Sequence, residues 1–463
     1  ILSATAVPIF HRANVYTAYE YLEKRFDSKT RLLVTIIFLI SRGLGAGISL
    51  AAPAIVLSVV LGWPYQVTLL LMGGFVAIYT TMGGIKAVTW ADVQQMTVIL
   101  FALILSLWTA ISLLPPDISF TSAVKLAGAA GRLNAVTTTF DWNDRYNIWT
   151  GLIGGMFLAL AYFGTDQSQV QRYLTGKSIG QSRLGLLFNA MAKVPMQFLI
   201  LFIGAMVFVV FLFEKPPVLF NPVQLEQVQK KAEFPALEQR YNAAFQNRQE
   251  AARAVIAGDP GAGAIFRTAQ KQLDDTRAEA QKLAGGNDTN YIFLSFVTHF
   301  LPIGIVGLVV GVIFTAAMSA ISGEINSLAT VSVIDVYKRY LSKDSSDAHY
   351  LAASRITTVF WAIYAMVFAS FATNFGALIE AVNYVGSLFY GGMLGVFVLA
   401  FFVKRCTANA AFLGVIAGEI AILITAQFTQ AYLWFNVIGC VVVVAVGYLL
   451  SLGNKPALVD VSS

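Results

Sequence analysis

Eight oxygen-bearing side chains sit inside one long apolar run. They are Thr315, Ser319, Ser322, Glu324, Asn326, Ser327, Thr330 and Ser332, within GIVGLVVGVIFTAAMSAISGEINSLATVSVIDVYKRY from Gly304 to Tyr340. Polar groups at bilayer depth are costly and face a bundle interior, a cavity or an ion path. Oxygen-rich, weakly charged surfaces suit hard cations such as sodium. The pattern predicts a helix that handles a small cation, in a chain that moves something.

Other residues extend this chemistry. Gly164, Thr165, Asp166 and Gln167 interrupt a second apolar run, ALAYFGTDQSQVQRYL. A break there would turn backbone carbonyls and half-helix ends toward a substrate. The alternative is the cytoplasmic end of an ordinary span, with Tyr162 and Phe163 as interfacial aromatics. Asp92, in TMGGIKAVTWADVQQ, either caps the helix that starts nearby or ligates or relays a cation. Lys193 either snorkels to water or lines a cavity opened by the backbone freed at Pro195. Arg42, in LISRGLGAG, lies deeper and needs a partner or water; Glu324 and Asp92 are candidates by charge. Asn383, Tyr384 and Ser387 suit hydrogen bonds to a polyhydroxylated or carboxylated solute, and equally suit bonds between helices.

The elements that position these groups are membrane spans. Of the 463 residues 57% are hydrophobic and 12% charged, and the mean hydropathy is +0.69, too apolar for a dispersed soluble chain. Runs of about 20 apolar residues mark crossings. Ten are found, at 31–61, 64–82, 91–114, 148–174, 184–213, 301–340, 350–372, 377–403, 408–428 and 431–452. Alternate loops are basic: Lys24, Arg25, Lys29 and Arg31, then Lys86, then Arg172, Lys177 and Arg183, then Lys338, Arg339 and Lys343, then Lys404 and Arg405. The turns near Gly62, Asn374 and Gln430 carry no Lys or Arg. The basic set is expected in the cytoplasm, with Lys455. The net charge of +6 therefore reads as topology, with no nucleic-acid partner. Residues 115–147 and 214–290 are long external segments. The second is Ala/Gln-rich with a break at GDPGAG, and reads as an extracytoplasmic helical hairpin or a disordered insertion.

Cys406 and Cys440 are too few for a disulfide framework, and His11, His299 and His349 are scattered. No Walker A loop is present, so ATP-driven transport is not expected, and with no catalytic triad spacing and no haem or flavin signature no enzyme is expected. The chain opens on ILSATAVPIF without a start methionine, and residues before Ile1 are expected.

The strings YTAYEYLEKRF (Tyr16 to Phe26), GGIKAVTWADVQQ (Gly83 to Gln95), FGTDQSQVQRYLTGK (Phe163 to Lys177) and FTAAMSAISGEINSLATVSVIDVYKRY (Phe314 to Tyr340) resemble the sodium:solute symporter family. The resemblance covers nearly the whole chain outside 214–290. It implies an all-α polytopic membrane protein of the leucine-transporter (LeuT) fold, with two inverted five-helix repeats and extra C-terminal helices. Spans 31–61, 64–82 and 91–114 then match core helices three to five, and spans 148–174 to 377–403 match six to ten. The first core helix and most of the second are absent from this sequence. The implied division is 1–213 for the partial first repeat and the start of the second, 214–290 for the hairpin, 291–403 for the rest of the second repeat and 404–463 for the C-terminal helices and tail.

For sodium, the resemblance implies the carbonyl of Ala316, the hydroxyl of Ser319 and position 320, here Ala320, which removes one side-chain oxygen. A possible second sodium would use Asp92 and Ser322, with Glu324 compensating for Gly323. For substrate it implies Tyr162 as an inner aromatic gate with Phe163 beside it, and Gln167, Lys193 and Asn383 as polar contacts, near Tyr384 and Ser387. Ala161 stands where the human-type glucose carriers have tryptophan, so glucose is not assumed. The expected function is a sodium-coupled symporter in the inner or plasma membrane. It would import a small polar organic solute, a sugar or sugar acid favoured, by alternating access as a monomer. A proton-coupled or sodium-independent carrier, and a transporter-fold sensor, are the alternatives.

Overall fold

The structure is a computed structural model. It describes the chain except residues 83–84, 135, 175, 177, 373–376 and 453–463, and for 85–94 the backbone alone. Short helices α1 (Ala6–Ala13) and α2 (Ala18–Arg25) lead into α3 (Ser28–Leu61), α4 (Tyr65–Met82), α5 (Ile85–Ser112) and α6 (Phe120–Ala129). Next come α7 (Gly155–Thr165), α8 (Gln167–Leu174) and α9 (Ile179–Phe213), then α10 (Pro222–Gln229), α11 (Phe234–Ala257), α12 (Ala262–Ala284) and α13 (Ile292–Phe300). The last group is α14 (Ile303–Val331), α15 (Asp347–Ala369), α16 (Leu378–Phe402), α17 (Ala408–Thr425) and α18 (Leu433–Leu449). Among the described residues the only β-pairing is an isolated bridge between Thr137 and Asn147.

Among the described residues eight helices are long and apolar enough to cross a membrane, and Thr150–Thr165 and Leu433–Leu449 are shorter apolar helices. Together they coincide with the ten apolar runs, except that 148–174 is split. The starts are set locally. Thr17, Asp27, Ser178, Ser346 and Thr407 each accept a bond from the backbone N–H three residues on, capping α2, α3, α9, α15 and α17. Gly258 (φ +84) ends α11 and Gly261 (φ +79) precedes α12. These left-handed positions reverse the chain, so α11 and α12 lie antiparallel, with Arg240 paired to Glu279 at 2.5 Å.

Helix α3 packs against α4, α14, α15 and α16. Helices α16, α17 and α18 form a second tight group. A Cβ at Gly391 of α16 would stand 2.7 Å from the Phe435 carbonyl oxygen, so these two backbones touch. Gly391→Val is expected to destabilise the protein by about 1–3 kcal/mol, as overpacking does. A thermal midpoint in detergent equal to that of the wild type would contradict this packing.

Two of the basic residues read as loop charges are buried and join elements. Arg25 donates to the carbonyls of Val403 and Lys404 at 3.0 and 2.9 Å. Arg31, inside α3, pairs with Glu23 at 2.5 Å and donates through Nε to Asp335 at 2.7 Å. Thr17 donates to the same Asp335 oxygen at 2.9 Å, and Arg339 pairs with Glu23. This network ties α2 and α3 to a π-helical extension of α14, Ser332–Leu341.

Candidate functional site

The site is built on a broken helix. A π-helical turn over Thr150–Gly154 leads into α7, which stops at Thr165. Asp166 is extended, with ψ 118°, and α8 starts at the next residue. The sequence breaks here because side chains replace the lost helical bonds. Tyr19 donates its hydroxyl to the Thr165 carbonyl at 3.2 Å. Asp166 Oδ1 accepts from the Ser168 N–H at 2.9 Å and from its hydroxyl at 2.7 Å, capping α8.

The other carboxylate oxygen of Asp166 pairs with Arg42 of α3 and accepts from the Tyr390 hydroxyl at 3.1 Å. Arg42 also donates to Glu324 Oε1 of α14 at 3.0 Å and to the Tyr390 hydroxyl at 2.6 Å. Its guanidinium lies 5.4 Å from the centre of the Tyr162 ring. Arg42 and Asp166 are both buried. One cation therefore ties α3, the break, α14 and α16 together. Of the two partners proposed for Arg42 by charge, Glu324 is found beside it, with Asp166 as a second acid, and the Asp92 side chain lies outside the described residues.

A cavity of about 380 Å³ adjoins this cluster. Tyr162, Phe163, Lys193 and Asn383 line it, as do Ser49 and Glu324. A second cavity, of about 580 Å³, shares Tyr162, Phe163 and Lys193 and continues past Gln169 and Arg172. The shared side chains partition the two spaces. The Tyr162 and Phe163 rings meet edge-on at 4.9 Å, Gln169 donates to the Tyr162 hydroxyl at 2.8 Å, and Lys193 Nζ lies 5.7 Å from the Phe163 ring centre.

Four of the seven residues singled out for substrate thus meet at one cavity. Gln167, Tyr384 and Ser387 do not line it. Gln167 accepts from the Ala18 N–H at 2.8 Å and donates to the Tyr16 carbonyl at 3.1 Å, holding the start of α2. Tyr384 packs on Tyr432 and Phe435, at 6.1 Å from each, and the Ser387 hydroxyl accepts from Asn436 at 2.9 Å. Ser387 thus makes a bond between helices, and Tyr384 makes ring contacts to the same region.

Of the cation residues on α14, Ser319 and Ser322 are buried, Ala316 is half-buried and Ala320 is exposed. A Cβ at Gly323 would stand 3.0 Å from Arg172 Nη2, and Gln171 donates to the Gly323 carbonyl at 3.3 Å. Glu324 Oε2 is buried without a hydrogen-bond partner. Helix α5 begins at Ile85, so Asp92 lies inside it rather than at its cap. The Asp92 side chain lies outside the described residues. Sequence reasoning missed Tyr390 and the pairing of Arg42 with Asp166. The depth of Arg42 demanded an acid, and the carboxylate in the break was the available signal.

A family model described as the sodium:solute symporter family matches residues 1–238 and 276–418. A sodium/glucose cotransporter of Vibrio parahaemolyticus is 28% identical over 419 residues, covering 89% of this chain and 66% of that protein. A sodium/sialic acid symporter of Aliivibrio fischeri is 26% identical over 449 residues, covering 96% of this chain and 75% of that one. A sodium-dependent multivitamin transporter of Oryctolagus cuniculus is 26% identical over 415 residues, 89% of this chain and 55% of the relative. The chain thus spans between 55% and 75% of the length of these relatives. A solved structure of a Na+-coupled sialic acid symporter, in a substrate-bound outward-open state, superposes with a TM-score of 0.71 at 23% identity, covering 98% of this chain and 81% of that one. The chain belongs to the sodium:solute symporter family and has a leucine-transporter-type fold.

Proposed function

We propose that this protein is a sodium-coupled symporter that imports a small polar organic solute, a sugar or a sugar acid, by alternating access. The observation that carries the reading is the cavity against the α7–α8 break, lined by aromatic and polar groups and divided from a second space by Tyr162, Phe163 and Lys193. The solute sits among Tyr162, Phe163, Lys193 and Asn383. Tyr162 and Phe163 close the inner side, and their displacement joins the two cavities and opens a route out. Gln167, Tyr384 and Ser387 serve as positioning residues through the backbone and helix contacts described above.

Sodium binds at the Ala316 carbonyl and the Ser319 hydroxyl, and Ala320 contributes no side-chain oxygen. A single sodium is favoured. Arg42 already holds Glu324 Oε1 at 3.0 Å, so the carboxylate that a second sodium would use is engaged. The same pairing holds Glu324 Oε1 to Arg42, which favours sodium over proton coupling. The basic loops face the cytoplasm and the 214–290 hairpin stands on the opposite side.

The experiment is competition between a labelled solute and a panel of sugars, sugar acids, amino acids and carboxylates in proteoliposomes. Sugars or sugar acids are expected to compete. Lys193→Gln is expected to weaken a sugar acid by roughly 1.5–3 kcal/mol, the worth of a bond to a charged group, and a neutral sugar by about 1 kcal/mol. Competition by amino acids alone would overturn the substrate class.

A further inference from the structure

The α11–α12 hairpin rests on the end of α9, and an open cavity of about 440 Å³ lies between the hairpin, α9 and α13, separate from the two described above. Its walls carry Arg132, Arg248 and Arg277, and Leu201 and Phe208 of α9 and Phe293 of α13 give it an apolar side. Arg248 is 3% exposed. Its Nη2 donates to the Phe211 carbonyl at 2.5 Å and its Nη1 to Gln270 Oε1 at 3.2 Å. Its Nε is buried without a partner. Two carboxylates stand at this wall, and Asp274, which lines the cavity, acts on Arg248 through its charge without an ion pair to it. Asp274 accepts from Gln270 at 2.9 Å, and Asp288 pairs with Arg277 at 3.0 Å. Arg132 is exposed, with its guanidinium 4.8 Å over the Phe208 ring.

Three guanidinium groups thus face two carboxylates, and the most deeply buried one has no acid bound to it among the described residues. Burial lowers the Arg248 pKa to about 10, the direction that desolvation produces, with the charge of Asp274 opposing it only in part. A buried cation calls for a counter-charge, and the forked geometry of arginine suits phosphate. The apolar side runs along a membrane-spanning helix, where Leu201 is 63% exposed. A ligand that is anionic at one end and apolar at the other meets both halves of the cavity.

We propose that this cavity binds a phosphate-bearing anion, presented by an anionic phospholipid whose acyl chains follow α9. The family match omits residues 239–275, the segment that carries Arg248, Gln270 and Asp274, while Arg132, Arg277 and the apolar side lie within the matched ranges. The site depends on membrane embedding and is independent of which solute is carried.

The test compares the protein in nanodiscs of phosphatidylcholine with and without phosphatidylglycerol. The readouts are the thermal midpoint and the lipid retained in native mass spectrometry. Phosphatidylglycerol is expected to raise the midpoint and to be retained. Arg248→Gln and Arg132→Gln are each expected to weaken retention about fivefold, the effect of one basic residue near an anionic lipid. Arg132 is exposed, so its variant keeps the test valid if Arg248→Gln fails to fold. Equal retention by the wild type and the Arg132 variant would overturn the site. In a second arm, inorganic phosphate is added to phosphatidylcholine discs. Stabilisation by phosphate, with none from phosphatidylglycerol, would overturn the lipid as the source of the anion.

Discussion

Arg42→Met is expected to cost about 3–5 kcal/mol of stability, the usual result of removing one partner from a buried ionic cluster. The argument rests on what the substitution leaves behind. Asp166 is fully buried and the Glu324 side chain is 12% exposed, so neither carboxylate can recover its lost partner from bulk water. The helix break would also lose its tie to α14, since Arg42 is the group that joins Asp166 to Glu324, and would keep only the direct bond from Tyr390 to α16. The measurement is the denaturation midpoint of purified protein in detergent. Adding Glu324→Gln to Arg42→Met removes one of the stranded charges and is expected to restore part of the loss. An Arg42→Met protein as stable as the wild type would show that the cluster is not a structural tie. Arg42→Lys keeps the charge but lacks the fork that reaches two acids and a hydroxyl, and is expected to fall between the two.

Ser319→Ala is expected to raise the sodium concentration for half-maximal uptake by roughly one to two orders of magnitude, corresponding to about 1.5–3 kcal/mol for a polar contact to a charged partner. Ser319 is buried on α14, one turn beyond Ala316. Ala320→Ser adds a hydroxyl at the next position and is expected to shift the sodium requirement the other way. Linkage adds a second readout. If sodium and solute favour each other by about 1–3 kcal/mol, the solute affinity of Ser319→Ala must fall at low sodium and recover at high sodium. Unchanged sodium activation in Ser319→Ala would remove this residue from the site.

The spans were legible because a bilayer demands about 20 apolar residues in a row, and few local effects can disguise that demand. The break at Asp166 was legible for the converse reason: GTDQ puts polar groups where an ordinary span would carry none. What pairs with what was less so. Arg42 and Asp166 are 124 positions apart, and no spacing rule links them. The polar cluster on α16 shows a second limit. Asn383, Tyr384 and Ser387 lie within two turns, yet Asn383 lines the cavity while Tyr384 and Ser387 meet α18 and the turn before it. Helix α16 is enclosed by α3, α7, α17 and α18, so each of its faces meets a different neighbour. A helix that is apolar all round offers no moment by which its faces could be told apart. Arg25 and Arg31 show a third limit. Charge alone placed them in a loop, while their long stems let their heads bind buried carbonyls and carboxylates.

The measurement that tests the central claim is solute accumulation in proteoliposomes loaded without sodium, with an inward sodium gradient or with choline in its place. The account predicts accumulation above equilibrium with sodium, none with choline, and collapse of the accumulated pool when the gradient is dissipated. Equal uptake under the two conditions would contradict sodium coupling. It would leave a leucine-transporter-type fold that carries its solute by another driving force.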